Sequence, residues 1–218
     1  MQKDWKNLIY SLFDWIYKKK CYFCRRSHES VKMCSDCYDS LEFLNYGKHF
    51  AVEGVGIYCA GVYEKNLQKL IRGLKYHNQR DLAFYQAKFM YEYWHNVAPD
   101  GVFEVVPVPL HRERQAKRHY NHMELVAQEF CRLSGYVLNT KLISRVKNTK
   151  PQYKLSPAER AENLSGAFRV DKTAWGGARI LLLDDICTTG STFAEMVKTL
   201  KSCGINDIIC FATTTPKV

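Results

Sequence analysis

The sequence lacks the features that would place it in a membrane or give it one of the common phosphate-binding loops. No apolar run within its 218 residues approaches the ~18–20 residues that a membrane-spanning helix needs. There is no GxxxxGK(S/T) sequence, and no GxGxxG sequence follows a predicted strand. Internal repeats and low-complexity tracts are absent as well. We therefore expect no integral membrane segment, and a single α/β core with a small appendage.

A secretory signal is not expected either. The opening MQKDWKNLIYSLFDWIYKKK carries Asp4 and Asp14, and its basic cluster follows the apolar residues instead of preceding them. The nine cysteines are an odd number, which does not suit a framework of disulfides. We predict a cytoplasmic protein, because paired cysteines in the reducing cytosol more often hold metal than form disulfides.

Acidic residues are fewer than basic residues. Lysine and arginine number 32 against 22 aspartates and glutamates, which gives a formal net charge of +10. Such a charge predicts attraction to phosphate-bearing partners, namely nucleotides, nucleic acid or an anionic membrane, and does not choose among them.

Residues 1–20 are predicted to form an amphipathic helix, because apolar side chains recur at helical spacing. These side chains are Trp5, Leu8, Ile9, Leu12, Phe13 and Ile16. The helix either docks on its own domain or, with its basic tail, binds a membrane surface or a partner.

Residues 21–45 are predicted to form a small zinc-binding module. Its two CxxC pairs, separated by nine residues, are formed by Cys21, Cys24, Cys34 and Cys37. Two such turns that face each other supply four thiolates in a tetrahedral cage suited to Zn²⁺, with no position left for water. A structural zinc would then hold together a segment too small for its own core. A thioredoxin-like redox pair is the competing interpretation.

From residue 50 to residue 218, strand patterns alternate with helix patterns. The predicted strands are VEGVGIYCAGVY, VFEVVPVPL, KLISRV, RILLLDD and DIICFATTT. The predicted helices are LQKLIRGLKYH, LAFYQAKFMYEYWHNV, HMELVAQEFCRLSG and TFAEMVKTLKSCG. This alternation is typical of an α/β fold, a parallel sheet flanked by helices on both faces.

The stretch ILLLDDICTTGST, residues 180–192, carries the chemistry. Asp184 and Asp185 end a buried strand, at the edge where open parallel sheets bind ligands. A loop with one glycine and several hydroxyls then leads into a helix, and its backbone N–H groups suit a phosphate. The loop residues are Cys187, Thr188, Thr189, Gly190, Ser191 and Thr192. Adjacent carboxylates beside a phosphate suit either Mg²⁺ or a ribose diol.

These residues resemble the ribose-5-phosphate loop of type I phosphoribosyltransferases, which use 5-phosphoribosyl-1-pyrophosphate (PRPP). The resemblance implies that Asp184 and Asp185, the catalytic pair, hold the ribose hydroxyls and that residues 187–192 hold the 5-phosphate. It also implies the type I phosphoribosyltransferase fold for residues 50–218, and Mg²⁺ bound with PRPP. The ligand expected is PRPP or a nucleotide that contains ribose 5-phosphate.

Three further segments resemble the ComF branch of that superfamily, the ComFC/GntX-like proteins. They are IRGLKYHNQRDLA, VVPVPLHRERQAKRHYNHMELVAQ and KNTKPQYKLSPAERAENLSGAF. Together with the four-cysteine module, they extend the resemblance from residue 21 to about residue 215. Three positions depart from the ComF pattern, since Asn78 and His119 each stand in place of a glycine and His122 in place of a glutamine. Asparagine tolerates the positive φ that glycine adopts.

The basic segment HRERQAKRHYNH, residues 111–122, directly follows a predicted strand. Arg112, Arg114 and Arg118 are the candidates to hold the pyrophosphate leaving group, and a solvated charged face is the alternative. Asn121 is placed to cap the next helix, and His111, His119 and His122 are candidate bases for an acceptor.

The segment KPQYKLSPAERAENLSG, residues 150–166, shows little periodicity and is predicted to be a long loop. By resemblance it is the flexible loop that closes over PRPP, with Gln152, Arg160 and Asn163 at the matched positions. A surface loop without ligand contact is the alternative.

Two functions therefore stay open. The resemblance implies a competence protein that binds PRPP and Mg²⁺, takes part in DNA uptake during natural transformation, handles single-stranded DNA and works with a DNA-translocating helicase. Basic residues interleaved with Trp5, Trp15, Tyr17 and Tyr22 favour this function, because aromatic rings stack bases while cations neutralise phosphates. The alternative is a Mg²⁺-dependent phosphoribosyltransferase of unknown acceptor with no DNA role.

Overall fold

The structure, a computed structural model, describes residues 20–27, 31–111, 113, 120–148 and 157–216, without the side chains of residues 157, 158, 160 and 161. It divides into two compact units, residues 1–41 and residues 42–218. The amphipathic helix predicted within residues 1–20 lies outside the described residues, apart from Lys20. No helix in the described part of the chain combines the length and the apolar character needed to cross a bilayer.

The first unit has little regular structure. An isolated antiparallel bridge joins Lys20 to Ser27, and helix α1 spans Ser35–Asp39. Its buried residues include Phe23 and Met33 beside three of the four cysteines. That so small a unit lacks a core sufficient to fold alone stays a prediction.

The second unit contains a six-stranded sheet in the order β1-β2-β8-β7-β3-β4. The strands are β1 Phe50–Val52, β2 Val55–Val62, β3 Phe103–Pro107, β4 Val137–Leu138, β7 Arg179–Ile186 and β8 Ile208–Thr215. All neighbouring strands run parallel except the hairpin of β1 and β2 at one edge. The predicted parallel sheet is therefore confirmed, and β7 and β8 are its buried central strands.

Among the described residues, four helices cover the sheet, and all four were predicted. They are α2 Lys65–Tyr76, α3 Leu82–Val97, α4 His122–Ser134 and α6 Ser191–Ser202. Helix α6 packs Phe193 and Met196 into the core cluster that contains Leu182. On the other face, Trp94 of α3 and Phe130 of α4 contact the ring of Phe211 in β8. Helices thus flank both faces, as the alternating pattern predicted.

Helix α4 is bounded at each end by a residue suited to that end. The Asn121 side chain accepts a hydrogen bond from the backbone N–H of Met123 at 3.0 Å, which confirms the predicted N-cap. At the other end Gly135 adopts a φ of 74°, the left-handed conformation of a helix C-cap.

The second unit differs from the sequence prediction in several parts, since strands β4 and β6 (Phe168–Val170) were not predicted. The strand predicted from KLISRV, β5 Ile143–Arg145, does not join the main sheet and pairs antiparallel with β6. The segment predicted to be irregular contains helix α5 Pro157–Leu164. The helix has one buried side chain, Leu164, among the side chains described there, so it offered almost no apolar periodicity to detect.

Candidate functional site

The carboxyl ends of the central strands meet where the sequence predicted a ligand. Strand β7 ends at Ile186 and α6 begins at Ser191, so residues 187–190 form a short loop between them. The backbone N–H of Cys187 donates to Thr214 O in β8 at 2.8 Å, and that of Val108, just beyond β3, donates to Leu183 O at 2.8 Å. The first residue of the loop is therefore held by β8, and the strand before the loop is held by the residue that follows β3.

The loop exposes its hydroxyls at the N-terminus of a twelve-residue helix. Thr188 and Thr189 are exposed, and Thr189 Oγ1 lies 2.7 Å from Ser191 Oγ. The first N–H groups of a helix have no partner within the helix, and the helix dipole favours negative charge there. Hydroxyls and backbone N–H groups together suit a phosphoryl group.

Gly190 is required at the N-cap of α6 for two reasons. Its φ of 73° lies in the left-handed region that other residues seldom adopt. A Cβ atom at this position would also lie 2.8 Å from Cγ1 of Val52 and 3.3 Å from Cδ1 of Ile57. The hairpin of β1 and β2 therefore packs directly against the loop and leaves no space for a side chain.

Asp185 is buried and held by two side chains from different helices. Its Oδ2 atom lies 2.6 Å from Nζ of Lys75, in the last turn of α2, and 2.6 Å from Nε2 of His122, the first residue of α4. Burial alone would raise the pKa of Asp185, but the charge of Lys75 and then His122 hold it well below its ordinary value. Asp185 is therefore ionised and fixed in place.

Asp184 differs from its neighbour although the two are adjacent in β7. Its side chain is half-buried, and its Oδ1 atom accepts the backbone N–H of Asp185 at 2.8 Å. Burial and then the negative charge of Asp185 raise the pKa of Asp184 to about 8, while Lys75 opposes the rise. Of the two carboxyls, Asp184 is the one open to a ligand.

Sequence analysis did not identify Lys75 as part of the site. It occurs in the LKY segment that carries the resemblance, but nothing in that segment indicates its partner, since Asp185 lies in a distant strand. His122 was named only as a candidate base, whereas its ring contacts Asp185. The sequence offered one signal that Lys75 has a partner elsewhere. It is a cation at the end of a helix that contains no acidic residue.

Several predicted site residues lie outside the described residues, namely Arg112, Arg114, Arg118 and Gln152. Arg160 belongs to α5 but its side chain is not described. Asn163 lies in the same helix and is half-buried. The pyrophosphate and closing-loop roles of these residues therefore stay predictions.

Asn78, in place of a glycine, adopts a φ of 51°. The prediction that asparagine tolerates this backbone conformation is thereby confirmed. Its side chain accepts a hydrogen bond from Nε of Arg80 at 3.3 Å, so the turn after α2 keeps its direction without glycine.

The four cysteines of the first unit form one cluster. Their Sγ atoms all lie within 4.8 Å of one another, with Cys21 to Cys37 at 3.9 Å and Cys24 to Cys34 at 3.8 Å. Four sulfurs bound to Zn²⁺ at about 2.3 Å in a tetrahedron lie about 3.8 Å apart, so the cluster fits this ion. Burial opposes ionisation of Cys21, but backbone N–H groups, including that of Phe23 at 3.4 Å, lower its pKa to about 6.

Comparison with models of known protein families gave no match. The chain is 30% identical over 203 residues to Competence protein F of Haemophilus influenzae, which covers 86% of each chain. It is 35% identical over 96 residues to Competence protein ComFC of Bacillus subtilis, covering 44% of this chain and 37% of the relative. Among solved structures, adenine phosphoribosyltransferase from Thermoanaerobacter pseudethanolicus aligns with a TM-score of 0.38 at 14% identity, over 83% of this chain and 98% of that one.

Proposed function

This chain belongs to the ComF family of competence proteins, and on that premise we propose that it binds PRPP with Mg²⁺ and handles single-stranded DNA during natural transformation. One arrangement carries the proposal. A half-buried carboxyl, Asp184, lies beside an ionised one, Asp185, immediately before a hydroxyl-bearing loop at a helix N-terminus. A sugar phosphate presents a diol and a dianion that match these two features.

In this proposal the loop of residues 187–190 and the start of α6 bind the 5-phosphate. Their donors are backbone N–H groups, the hydroxyls of Thr188 and Thr189, and that of Ser191. Charge-assisted hydrogen bonds to a phosphate are stronger than bonds between neutral groups. The loop is held by β1 and β8, so little ordering is needed when the phosphate binds.

The ribose hydroxyls are assigned to the side chains of Asp184 and Asp185. Asp184 is the open acceptor, and Asp185, fixed by Lys75 and His122, supplies a permanent negative charge behind it. Mg²⁺ is usually bound through substrate phosphates and one or two carboxylates, so we expect it to enter with the pyrophosphate of PRPP. Arg112, Arg114 and Arg118 are proposed for that pyrophosphate, and Gln152, Arg160 and Asn163 for closure of the loop over it.

We also propose that the four-cysteine cluster binds one structural Zn²⁺, because the sulfur separations suit tetrahedral coordination. The net charge of +10 supports binding of a polyanion such as DNA. A cytoplasmic location and a DNA-translocating helicase as partner complete the proposal, and both derive from the resemblance to ComF proteins.

Two titrations of the full chain test the proposal. Calorimetry with PRPP and Mg²⁺ should give saturable binding that Asp184→Asn weakens and Asp100→Asn, a change at an exposed acidic residue, does not. Fluorescence anisotropy with a labelled single-stranded oligonucleotide should give binding that weakens steeply as salt rises. PRPP binding without DNA binding would favour the transferase alternative, and absence of PRPP binding would contradict the proposed site.

A further inference from the structure

Helix α2 and the residues after it as far as Arg80 carry positive charge without negative charge, between Glu64 before them and Asp81 after them. Residues 65–80, KNLQKLIRGLKYHNQR, contain no aspartate or glutamate. Their cations are Lys65, Lys69, Arg72, Lys75 and Arg80. The helix buries Leu67, Leu70, Ile71 and Leu74, and exposes Arg72 and Tyr76 on the opposite side. A surface of this composition attracts anions.

Two arginine–tyrosine pairs lie at the C-terminal end of this helix. The guanidinium of Arg72 lies 5.9 Å from the ring centroid of Tyr76, and that of Arg80 lies 4.6 Å from the ring centroid of Tyr120. The Tyr76 ring is 58% exposed, an unusual exposure for a large aromatic side chain. We call these four residues the α2 rim.

Two hydrogen bonds fix the second pair, Arg80 and Tyr120. The hydroxyl of Tyr120 donates to Leu74 O at 2.5 Å, which ties the segment before α4 to the last turn of α2. Arg80 is held by its hydrogen bond to Asn78, the residue in the left-handed conformation. The Arg80–Tyr120 pair is therefore tied to the last turn of α2.

The α2 rim adjoins the candidate ribose site. Lys75 lies immediately before Tyr76 in the chain and reaches Asp185 at 2.6 Å. Tyr120 lies two residues before His122, the second partner of Asp185. Burial raises the pKa of Tyr63 and the charges of Lys75 and Arg72 oppose the rise, which places a third tyrosine among the same cations. The same helix end thus serves the site and the rim.

We infer that the α2 rim is the surface that binds single-stranded nucleic acid, with bases stacked on the tyrosines and phosphates held by Arg72 and Arg80. This inference rests on the proposed function and adds the location of the strand, beside the ribose site. Tyr76 is exposed and Tyr120 half-buried, and each lies beside an arginine. An exposed ring flanked by cations suits single strands, because the faces of unpaired bases are accessible. In a duplex those faces are stacked against each other, so the tyrosines would contribute nothing.

The test compares variants of the full zinc-loaded chain in binding a labelled oligothymidylate by fluorescence anisotropy over a range of salt. Tyr76→Ala should weaken binding by about 5- to 100-fold, the usual effect of removing one stacking ring. Tyr76→Phe keeps the ring and should bind more tightly than Tyr76→Ala. Arg72→Gln should reduce the salt dependence by about one counterion.

A matched control is available on α4. The guanidinium of Arg132 lies 5.8 Å from the ring of Phe84, about 15 Å along the helix from His122. Arg132→Gln removes an exposed cation over an aromatic ring away from the rim, and should leave oligothymidylate binding within about twofold of wild type. Circular dichroism melts of every variant confirm that each is folded.

The outcomes separate the inference from the proposed function. If the wild type binds the oligothymidylate and Tyr76→Ala binds it equally well, the α2 rim is not the binding surface and the proposed function stands. If duplex DNA of equal length binds as tightly, and Tyr76→Ala weakens its binding equally, then Tyr76 does not act by stacking on unpaired bases. If the wild type binds no single strand, the DNA part of the proposed function fails and the inference fails with it. PRPP calorimetry should be unchanged by Tyr76→Ala.

Discussion

Nζ of Lys75 lies 2.6 Å from Oδ2 of Asp185, and the contact joins the end of α2 to the end of the central strand β7. Both groups are shielded from water, because the Lys75 side chain is 18% exposed and the Asp185 side chain 4% exposed. A buried carboxylate needs a partner, since desolvation of an isolated charge is expensive. The pair therefore links the stability of the fold to the geometry of the site.

Lys75→Met should destabilise the protein, because it removes the lysine partner of Asp185 and leaves the contact with His122 in place. Breaking one side of a buried pair typically costs about 3–5 kcal/mol, and retention of the His122 contact places the expected loss near the lower figure. The free energy of unfolding in urea measures it. In Lys75→Met/Asp185→Asn the loss should be smaller than the sum of the single losses. Additivity within about 0.5 kcal/mol would show that the two residues are not coupled.

His122→Gln should be tolerated better than His122→Leu. Glutamine stands at this position in the ComF pattern and keeps an N–H donor that can reach Asp185, whereas leucine leaves one contact of a buried carboxylate unmade. Hydrogen bonds to charged groups contribute about 1.5–3 kcal/mol, so the two variants should differ by about that amount in urea unfolding. Equal stability of the two variants would mean that the 2.6 Å contact contributes no stability.

The fold was largely predictable from the sequence because its signals are local. Helix α3 spans Leu82–Val97, the residues quoted for it, and the cap at Asn121 and the positive φ of Asn78 follow from side-chain chemistry alone. The pairing of β5 with β6 was not predictable, since nothing in a three-residue strand indicates which sheet it joins.

The site was predictable only in part, for a related reason. Asp184, Asp185 and the loop after them are contiguous in sequence, so their chemistry can be recognised together. The environment of Asp185 is not contiguous, because His122 lies 63 residues away in the chain and Lys75 further still. Lys75 and His122 come close to Asp185 because of the way α2 and α4 pack on the sheet. The periodicity of the sequence does not indicate this packing.

Zinc analysis of the purified protein should give one Zn²⁺ per chain if the cysteine cluster binds metal. Cys24→Ser removes one ligand and should lower the bound zinc and increase proteolysis within residues 21–41, because the first unit has too small a core to fold alone. Cys203→Ser, a change outside the cluster, should retain one Zn²⁺. A wild-type protein purified without zinc, or a Cys24→Ser variant with full occupancy, would contradict this assignment.

Gly190→Ala should lower both stability and PRPP affinity, because it adds a Cβ atom at a φ of 73° and at 2.8 Å from Val52. Gly177→Ala provides the matched control, since its φ of 92° carries comparable strain while nothing lies within 4 Å of the new atom. Strain alone costs about 1–2 kcal/mol. Gly190→Ala should therefore lower the free energy of unfolding in urea by more than Gly177→Ala does, and the difference between the two measures the contact with the hairpin. Val52→Ala in the Gly190→Ala background removes the contacted methyl and should recover part of that difference. Equal losses for the two glycine variants, with PRPP calorimetry unchanged, would show that the hairpin does not constrain the loop.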